Sequence, residues 1–368
     1  MSKYLLTDPV NWLLDPSDPV MRYLTLRDLL KVRPSDLEEP FQRLIESHEI
    51  QNLLQDTRDG LLGDHKNYDT PSRGTLWLFA IAVLSGLDCR LPAIKKSAEF
   101  LLERTQLASG GFSPAWKPLR EDACFTGDVL RYLLLAGCQN SAMETGIRWI
   151  ESHQRQDGGW LHSPVFDFRD LAGYLMLRRS GRGLYREGDS GIPSCLFATS
   201  TCLSTLLLFQ YRDKNDAQGY PDPGRGTSPI LEKAAGFILR AGLFHNASHP
   251  PTARYKRLWN RDFSLLGLPV FSQYDTLLGL HLAAATGHFS DHQCTEAFNA
   301  LLSKQSMQGT WYLETSERGM LTEKDPVIPA SRGSKRVTLR VLIMMKEGGI
   351  YDPVNIGSNE GTGVSRQS

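Results

Sequence analysis

The stretch "HQRQDGGW", residues 153–160, follows the helix-like run "METGIRWIES" and combines a Gln, two glycines and a Trp in one short turn. The same spacing of Gln, Gly and Trp recurs in "KQSMQGTW", residues 304–311, and a weaker copy with Phe is "TQLASGGF", residues 105–112. In chain order, the Gln residues of the three copies lie 48 and then 151 residues apart. A period of about 50 residues indicates supersecondary units that stack on one another.

Two helix-like segments precede each clear copy of the turn. A Leu-rich segment such as "CFTGDVLRYLLLAG" comes first, and an amphipathic one such as "AMETGIRWIESHQ" runs into the Gln. We expect the first segments to be buried on most sides and the second ones to face water. First helices are predicted to start near six positions: Pro19, Gly74, Cys124, Cys195, Tyr274 and Lys335. The sequence thus predicts a single all-α domain over 1–351, with a polar, Gly-rich tail at 352–368.

Composition excludes several function classes. The 41 basic residues balance the 41 acidic ones, so the chain lacks the broad positive charge of a nucleic-acid binder. Its start, "MSKYLLTDPVNWLL", is unlike a secretion signal, and no apolar run reaches the roughly 18 residues of a membrane span. We therefore expect a soluble cytoplasmic protein with a neutral or apolar partner, in which the six cysteines are reduced.

The turns resemble the Gln-Trp repeats of the terpenoid cyclase and protein prenyltransferase superfamily, which includes the squalene-hopene and oxidosqualene cyclases and the prenyltransferase β subunits. The resemblance extends over about residues 70–345. It implies an α/α toroid of about six helical hairpins around a central apolar cavity that accepts isoprenoid chains. In that family, the Gln and Trp of each turn tie the end of an outer helix to the neighbouring unit. We expect the same structural role here, since Gly158 permits a sharp exit from the helix and Trp160 fills space.

Chemistry requires other residues, and the family offers two patterns. Cyclases that protonate an alkene or epoxide use an Asp-x-Asp-Asp motif, which this sequence does not contain. Prenyltransferase β subunits hold zinc with Asp-x-Cys at one inner helix and a His at the next. By this resemblance Asp122 and Cys124 match the first element, and Cys195 stands where the family has His. His162 lies between them in sequence and completes a candidate set of four zinc ligands.

The two thiols occupy equivalent points of consecutive first helices, so we expect them to lie close together. Helix N-termini would favour their thiolate forms. The alternative is structural: a buried Cys commonly packs as a small hydrophobe, and Asp122 could be a helix N-cap.

Asp275 and Tyr274 are the candidate catalytic residues at the start of another first helix, with His281 nearby. In an apolar chamber, Asp275 could act as a general acid or stabilise a cation. A dipole-stabilised helix-terminal acid is the structural alternative. Basic residues near the predicted last helix would suit a diphosphate, or else form a solvated helix end; they are Arg332, Lys335, Arg336 and Arg340.

The leading hypothesis is a squalene cyclase-like or prenyltransferase-like protein that binds and transforms an isoprenoid or related lipid, with zinc as a candidate cofactor. The alternative is a non-catalytic lipid-binding or scaffold toroid with a structural zinc or no metal. A zinc cyclase acting on thiols is a third hypothesis, and the absence of an adjacent Cys-His pair argues against it.

Overall fold

The computed structural model describes residues 2–71, 73–114, 121–161, 194–211, 228–243, 263–268, 274–314 and 333–353. Within these ranges the chain is all-α, which confirms the predicted fold class. A two-residue β-hairpin is the sole sheet that they contain, with β1 (Thr57–Arg58) antiparallel to β2 (Leu61–Leu62).

The helices fall into short N-terminal elements and longer paired ones. The short helices are α1 (Val10–Leu13), α2 (Pro19–Leu24), a π-helical turn (Thr25–Leu30), a 3₁₀ turn (Pro34–Leu37), α3 (Glu38–Glu46) and α4 (His48–Gln55). The paired helices are α5 (Thr75–Leu84) with α6 (Pro92–Thr105), α7 (Ala123–Leu135) with α8 (Ser141–Ser152), α9 (Leu196–Tyr211) with α10 (Pro229–Ala241), and α11 (Thr276–Ala285) with α12 (His292–Ser303). The last described helix is α13 (Lys335–Glu347). The six predicted first-helix starts each lie within two residues of an observed start.

The first helices of the units form the inner layer. In chain order α5, α7, α9, α11 and α13 each pack against the next, and α13 packs against the π-helical turn that continues α2. A β-carbon at Gly86, after α5, would lie 2.8 Å from the Tyr23 ring of α2. The first unit therefore lies between the last and the second, and the inner helices form a ring.

Burial distinguishes the inner layer from the outer one. All but two of the 16 residues of α9 are buried, and α11 is buried in the same way. The outer helix α6 buries a single face, through residues such as Ile94, Ala98 and Leu101. A helix that is apolar all round requires neighbours on every side, whereas an amphipathic helix can face water. These burial patterns confirm the prediction from the sequence that the first helix of each unit is buried and the second faces water.

The Gln-Gly-Trp turns connect neighbouring units. Gln154 donates from Nε2 to the carbonyl of Gly158 at 2.9 Å and to that of Ile230, in α10, at 2.7 Å. Trp160 is fully buried and donates from Nε1 to the Ile150 carbonyl at 2.7 Å. Gly158 has φ +93°, and a β-carbon there would collide with the Lys233 carbonyl, so the turn requires glycine.

The turn at 105–112 makes the equivalent contact, since Gln106 Nε2 donates to the Ala142 carbonyl of α8 at 2.8 Å. The turn at 304–311 meets the N-terminal segment instead. Gln305 Oε1 accepts from the backbone N–H of Leu6 at 3.0 Å, and the Thr7 hydroxyl donates to the Met307 carbonyl at 3.0 Å. The N-terminal segment, residues 2–8, thus occupies the place that the next outer helix occupies at the other turns.

A disulfide joins Cys89 to Cys138, so the prediction of reduced cysteines is wrong for this pair. Both residues lie in turns that follow neighbouring inner helices, and their Cα atoms are 5.9 Å apart, within the range of disulfides. The backbone N–H of Cys89 also donates to the Ala136 carbonyl at 2.9 Å. Their separation of 49 residues is one repeat period, which was a signal in the sequence.

In the described ranges no helix is both long enough and apolar enough to cross a membrane. The predicted tail, 352–368, lies outside the described residues except for Asp352 and Pro353.

Candidate functional site

Two thiols meet where α7 and α9 begin. Cys124 is in the first turn of α7, and Cys195 immediately precedes α9 with its backbone N–H bonded to the Trp160 carbonyl at 2.7 Å. A side-chain hydrogen bond links the two sulfur groups. The sequence placed these cysteines at equivalent points of consecutive units, and the structure brings them into contact.

Close approach of α7 and α9 produces this contact. Gly127 has no side chain, and a β-carbon there would lie 2.7 Å from the Thr201 hydroxyl. The Thr205 hydroxyl donates to the Gly127 carbonyl at 2.7 Å, which satisfies a buried donor between the helices. Gly127 therefore permits the approach of backbones that places the thiols together.

A third thiol belongs to the same cluster. Cys202 is fully buried, and its sulfur lies 3.6 Å from the Ala123 carbonyl, one residue before Cys124. Cys202 lies in an apolar run of the sequence, which by itself favours a packing role. Its spacing of seven residues from Cys195, two helical turns, was the signal that both could face α7. We refer to Cys124, Cys195 and Cys202 as the thiol cluster.

Two buried carboxylates flank the thiol cluster. Asp122 is the N-cap of α7 and accepts from the backbone N–H of Phe125 at 3.0 Å. Asp128, which the sequence analysis did not select, is 1% exposed and lies 3.3 Å from Nη2 of Arg131. That nitrogen also donates to the Tyr132 hydroxyl at 2.7 Å. An acid in the Leu-rich run of an inner helix was the missed signal, because such a residue is buried and must be paired.

Burial raises the pKa values of two thiols of the cluster, those of Cys124 and Cys202. It raises the pKa of Cys124 well above its ordinary value, and the hydrogen bond with Cys195 and the charges of Asp122 and Asp128 raise that pKa further. Burial and the same two carboxylates also raise the pKa of Cys202. For Cys124 the prediction of a thiolate stabilised by a helix N-terminus is therefore wrong, since removal from water and nearby negative charge outweigh the helix dipole.

The residues of the candidate zinc site are only partly described. His162 lies outside the described residues, so its position relative to the thiols is untested. Across the described ranges, no three or more His, Cys, Asp or Glu side chains are arranged to hold a metal ion. The thiols are suitable zinc donors, whereas the Asp122 carboxylate is engaged as a helix cap. Zinc thus stays a proposal, with Cys124 and Cys195 as its described ligands.

Asp275, the candidate acid, caps α11 and pairs with an arginine. Its Oδ1 accepts from the backbone N–H of Leu278 at 2.7 Å and from Nη2 of Arg340, in α13, at 3.0 Å. Its Oδ2 accepts from the backbone N–H of Gly267 at 3.3 Å and from Nη1 of Arg340 at 3.0 Å. As a proton donor, Asp275 would have to break a buried two-bond pair.

Tyr274 is buried beside Asp275, and burial raises the pKa of its phenol. Its ring meets Phe263 edge to face with centroids 5.4 Å apart, and a β-carbon at Gly279 would collide with its hydroxyl. That hydroxyl has no hydrogen-bond partner within the described ranges. A buried hydroxyl in this state is suited to donate to a bound molecule.

A second buried acid lies at the end of α13. Glu347 is 9% exposed, and its Oε2 lies 3.3 Å from Nδ1 of His281, which is on α11. Burial raises the pKa of Glu347 to about 8 and lowers that of His281 to about 3. Both side chains are therefore uncharged near pH 7. His281 was a candidate from the sequence, whereas Glu347 was not, because a Glu in the last turn of a helix usually faces water.

Neither a protein-family model nor a curated protein sequence matches this chain. Solved structures with similar coordinates include a protein from Actinoplanes, which has 18% identity and a TM-score of 0.32, over 84% of this chain and 99% of that one. The type II terpene cyclase MstE from Scytonema is similar in two variant structures, both with 15% identity. The apo form has a TM-score of 0.31, over 83% of this chain and 96% of that one. The complex with its substrate geranylgeranyl dihydroxybenzoate has a TM-score of 0.30, over 84% and 97%.

Proposed function

We propose that the protein binds an isoprenoid or related apolar molecule inside its ring of inner helices and transforms it there, with zinc at the thiol cluster as a candidate cofactor. Apolar side chains that stay half-buried on inner helices carry this proposal. They include Trp77 on α5, Phe125 on α7, Phe209 on α9 and Ile343 on α13. Outer helices and neighbouring inner helices cover the other sides, so the accessible part of these residues lines the interior or the rims of the ring.

An apolar lining of this kind suits an isoprenoid chain. Binding transfers hydrocarbon surface from water to the protein, at about 25 cal/mol for each Å² of apolar area. Polar groups in such a site are few and fix the orientation of the ligand. Here these groups are the Tyr274 hydroxyl, the thiol cluster and the carboxyl of Glu347.

Bound zinc would supply a Lewis acid that polarises an oxygen atom or lowers the pKa of a bound group. The side chains proposed to hold it are those of Cys124 and Cys195, together with Asp122 and His162. The protein itself contributes the buried thiol of Cys124, the partly buried thiol of Cys195 and flanking carboxylates, at the packed junction of α7 and α9. Loss of the thiol protons to solvent would accompany zinc binding, so the affinity for zinc should rise with pH.

The non-catalytic alternative draws support from the pairing of Asp275 with Arg340. With its described candidate acid neutralised by an arginine, and without an Asp-x-Asp-Asp motif, the ring could store or present a lipid. Catalysis and lipid storage both require an apolar molecule in the interior, whereas the scaffold form of the alternative does not. They differ in whether that molecule leaves unchanged.

Lipid retention tests the shared part of the proposal. Purified protein is incubated with squalene or with a prenyl diphosphate, and the retained molecule is measured by native mass spectrometry. We expect wild type to retain at least one of these probes, and Phe125→Asp or Ile343→Asp to lose retention, because a charge in the lining is costly. Met307→Asp is the control, since Met307 is 76% exposed. Equal retention by all variants would contradict an interior site.

Product and metal analysis separate the two hypotheses. Chromatography with mass spectrometry of the extracted molecule distinguishes turnover from storage. Metal content is measured for wild type, Cys124→Ala and Cys195→Ala, with Cys294→Ala as the matched buried thiol outside the cluster. We expect zinc in wild type and in the Cys294 variant and its loss from the other two. Protein that binds no zinc when the metal is supplied would overturn the zinc proposal and leave lipid binding intact.

A further inference from the structure

The pair of His281 and Glu347 stands apart from the thiol cluster and from Asp275. His281 is on α11 and Glu347 ends α13, so two inner helices supply the pair. The π-helical turn at 25–30, which also belongs to the inner layer, packs against α13. Turns of this kind are rare and frequently occur at functional sites. Three inner elements therefore converge on one buried acid and one imidazole.

Glu347 has an oxygen that the described protein leaves without a hydrogen bond. Its Oε2 is buried, and although it lies 3.3 Å from His281 Nδ1, it has no hydrogen-bond partner in the described part of the chain. The side chain as a whole is 10% exposed. Buried polar atoms in folded proteins are bonded in the great majority of cases, so this oxygen indicates a missing partner such as a ligand or water.

Several cationic side chains lie near His281 and Glu347. Their described contacts already use some of their hydrogen-bond donors. Arg340 is paired with Asp275, Lys346 donates to the Leu29 carbonyl at 2.5 Å, and Arg27 pairs with Asp28 at 2.6 Å. The charged and titratable groups that act on Glu347 or His281 are Arg340 and Lys346 from α13, Asp28 from the π-helical turn, and Lys31, which follows that turn with φ +53°. These cations do not suffice to ionise the buried acid near pH 7, because burial outweighs them.

We infer that Glu347 and His281 form an uncharged polar site that holds an accepting oxygen, such as a carbonyl, at one end of the apolar molecule in the ring. This inference rests on the proposed function, since it assumes an apolar ligand in the interior. A protonated carboxyl donates one strong hydrogen bond, which a carbonyl oxygen accepts, and the His281 imidazole lies beside this carboxyl at 3.3 Å. An anionic head group would instead have to compete with the contacts that Arg340 makes with Asp275 and that Lys346 makes with the Leu29 carbonyl. The substrate class is therefore an isoprenoid ketone or aldehyde.

Three probes of the same chain length test the inference: an isoprenoid methyl ketone, the alcohol made by its reduction, and the parent hydrocarbon. Retention is measured by equilibrium dialysis at pH 6.5 and pH 9. At pH 6.5 we expect wild type to bind the ketone about tenfold tighter than the hydrocarbon, the effect of one buried hydrogen bond. At pH 9 the carboxyl is ionised and cannot donate, so the ketone should bind like the hydrocarbon. The alcohol can donate to the carboxylate and should keep its advantage.

Variants of Glu347 separate this site from general effects of pH. Glu347→Gln keeps a donor at both pH values, so its preference for the ketone should persist at pH 9. Glu347→Leu should bind ketone and hydrocarbon equally at either pH. Glu232→Gln and Glu232→Leu are the matched controls, because Glu232 forms a surface pair with His288 at 2.8 Å. They should behave as wild type. Circular dichroism melting establishes that each variant is folded, and Glu347→Gln alone decides the question if Glu347→Leu does not fold.

The outcomes distinguish this inference from the proposed function. Hydrocarbon binding without a preference for the ketone, or a preference that Glu347→Leu retains, would overturn the site at Glu347 and leave the lipid-binding ring. Persistence of the wild-type ketone preference at pH 9 would also overturn it, since an ionised carboxyl has no proton to donate. Retention of none of the three probes would overturn both.

Discussion

Asp122 and Asp275 occupy the same position in two units of the ring, yet their surroundings differ. Each is buried, precedes an inner helix and caps it through the backbone N–H three residues later. Asp275 faces Arg340 from the next inner helix, whereas Asp122 acts on the thiol cluster. The repeat therefore fixes the backbone role of these residues, and the neighbouring inner helix decides which group each carboxylate acts on. Chemistry in such a ring is to be sought where a capping acid lies beside thiols.

Removal of Arg340 should have the largest effect. Arg340→Met leaves Asp275 buried without its charge partner, and we expect the free energy of unfolding to fall by about 3 kcal/mol. Urea unfolding followed by circular dichroism measures this change. Arg43→Met is the control, since Arg43 pairs with Glu39 on the surface and should lose less than about 1 kcal/mol. Equal losses for the two variants would show that the buried pair of Asp275 and Arg340 contributes no more to stability than a surface pair.

Replacement of each capping aspartate by asparagine should have the second largest effect, and that effect should differ between Asp275 and Asp122. Asparagine caps a helix about as well as aspartate does, so the replacement removes charge and retains the cap. Asp275→Asn leaves Arg340 without an anion and should lower the free energy of unfolding by about 2 kcal/mol. Asp122→Asn should lower it less, because the cap is kept and the charge that is lost raises the pKa of the neighbouring Cys124. Urea unfolding checks both variants, and a larger loss at Asp122 would reverse the comparison.

Glu347 extends the comparison to a buried acid that faces a neutral imidazole. Its pKa is raised from 4.5 to about 8, so the folded state holds one more proton than the unfolded state above pH 4.5. Stability from this group is present below pH 4.5 and is lost as pH rises toward 8. The pKa of His281 is lowered from 6.5 to about 3, so its contribution acts in the opposite direction and ends above pH 6.5.

Between pH 6.5 and pH 8 the effect of Glu347 alone remains. We expect wild type to lose about 1 to 2 kcal/mol across this window. Glu347→Gln does not titrate and should remove most of that slope. Urea unfolding at several pH values provides the measurement, with Glu232→Gln as the surface control. A wild-type slope that Glu347→Gln leaves unchanged would assign the effect to other groups.

Replacement of Asp122 should have the smallest effect of all, on the rate at which the neighbouring Cys124 thiol reacts. Native Cys124 should react with iodoacetamide at least about tenfold more slowly than in urea, because it is buried and protonated. Asp122→Asn removes a charge that raises the pKa of Cys124, so we expect an acceleration of about two- to threefold. Peptide mapping by mass spectrometry follows each cysteine separately. Cys294 is the internal reference, and an equal acceleration there would indicate general loosening.

The repeat made most of the fold predictable. The Leu-rich runs identified the inner helices because a helix surrounded by protein is apolar on all faces. The Gln-Gly-Trp turns identified the connections, and their role follows from contacts that the sequence implies, such as that of Gln154 with the next outer helix. The closure through Leu6 and Thr7 could not be foreseen, because this segment has no repeat signature of its own.

The candidate site was predictable in position and less so in chemistry. Equivalence of the units placed Cys124 beside Cys195, as observed. The protonation state of these thiols depends on how much water the fold removes, and the sequence pattern does not measure that. Partners distant in sequence were also missed, such as Arg340 for Asp275 and Glu347 for His281, since periodicity gives the face of a helix and not the residue opposite.

The contacts of the N-terminal segment, residues 2–8, affect the order in which parts of the chain fold. Residues 2–8 bind residues 305, 307, 350 and 351, so these contacts join positions that are 299 to 348 residues apart in sequence. Each hairpin can form as soon as its own two helices have been synthesised, whereas residues 2–8 have to wait for residues 305–351. This segment is therefore fixed in place later than the hairpins that follow it in sequence.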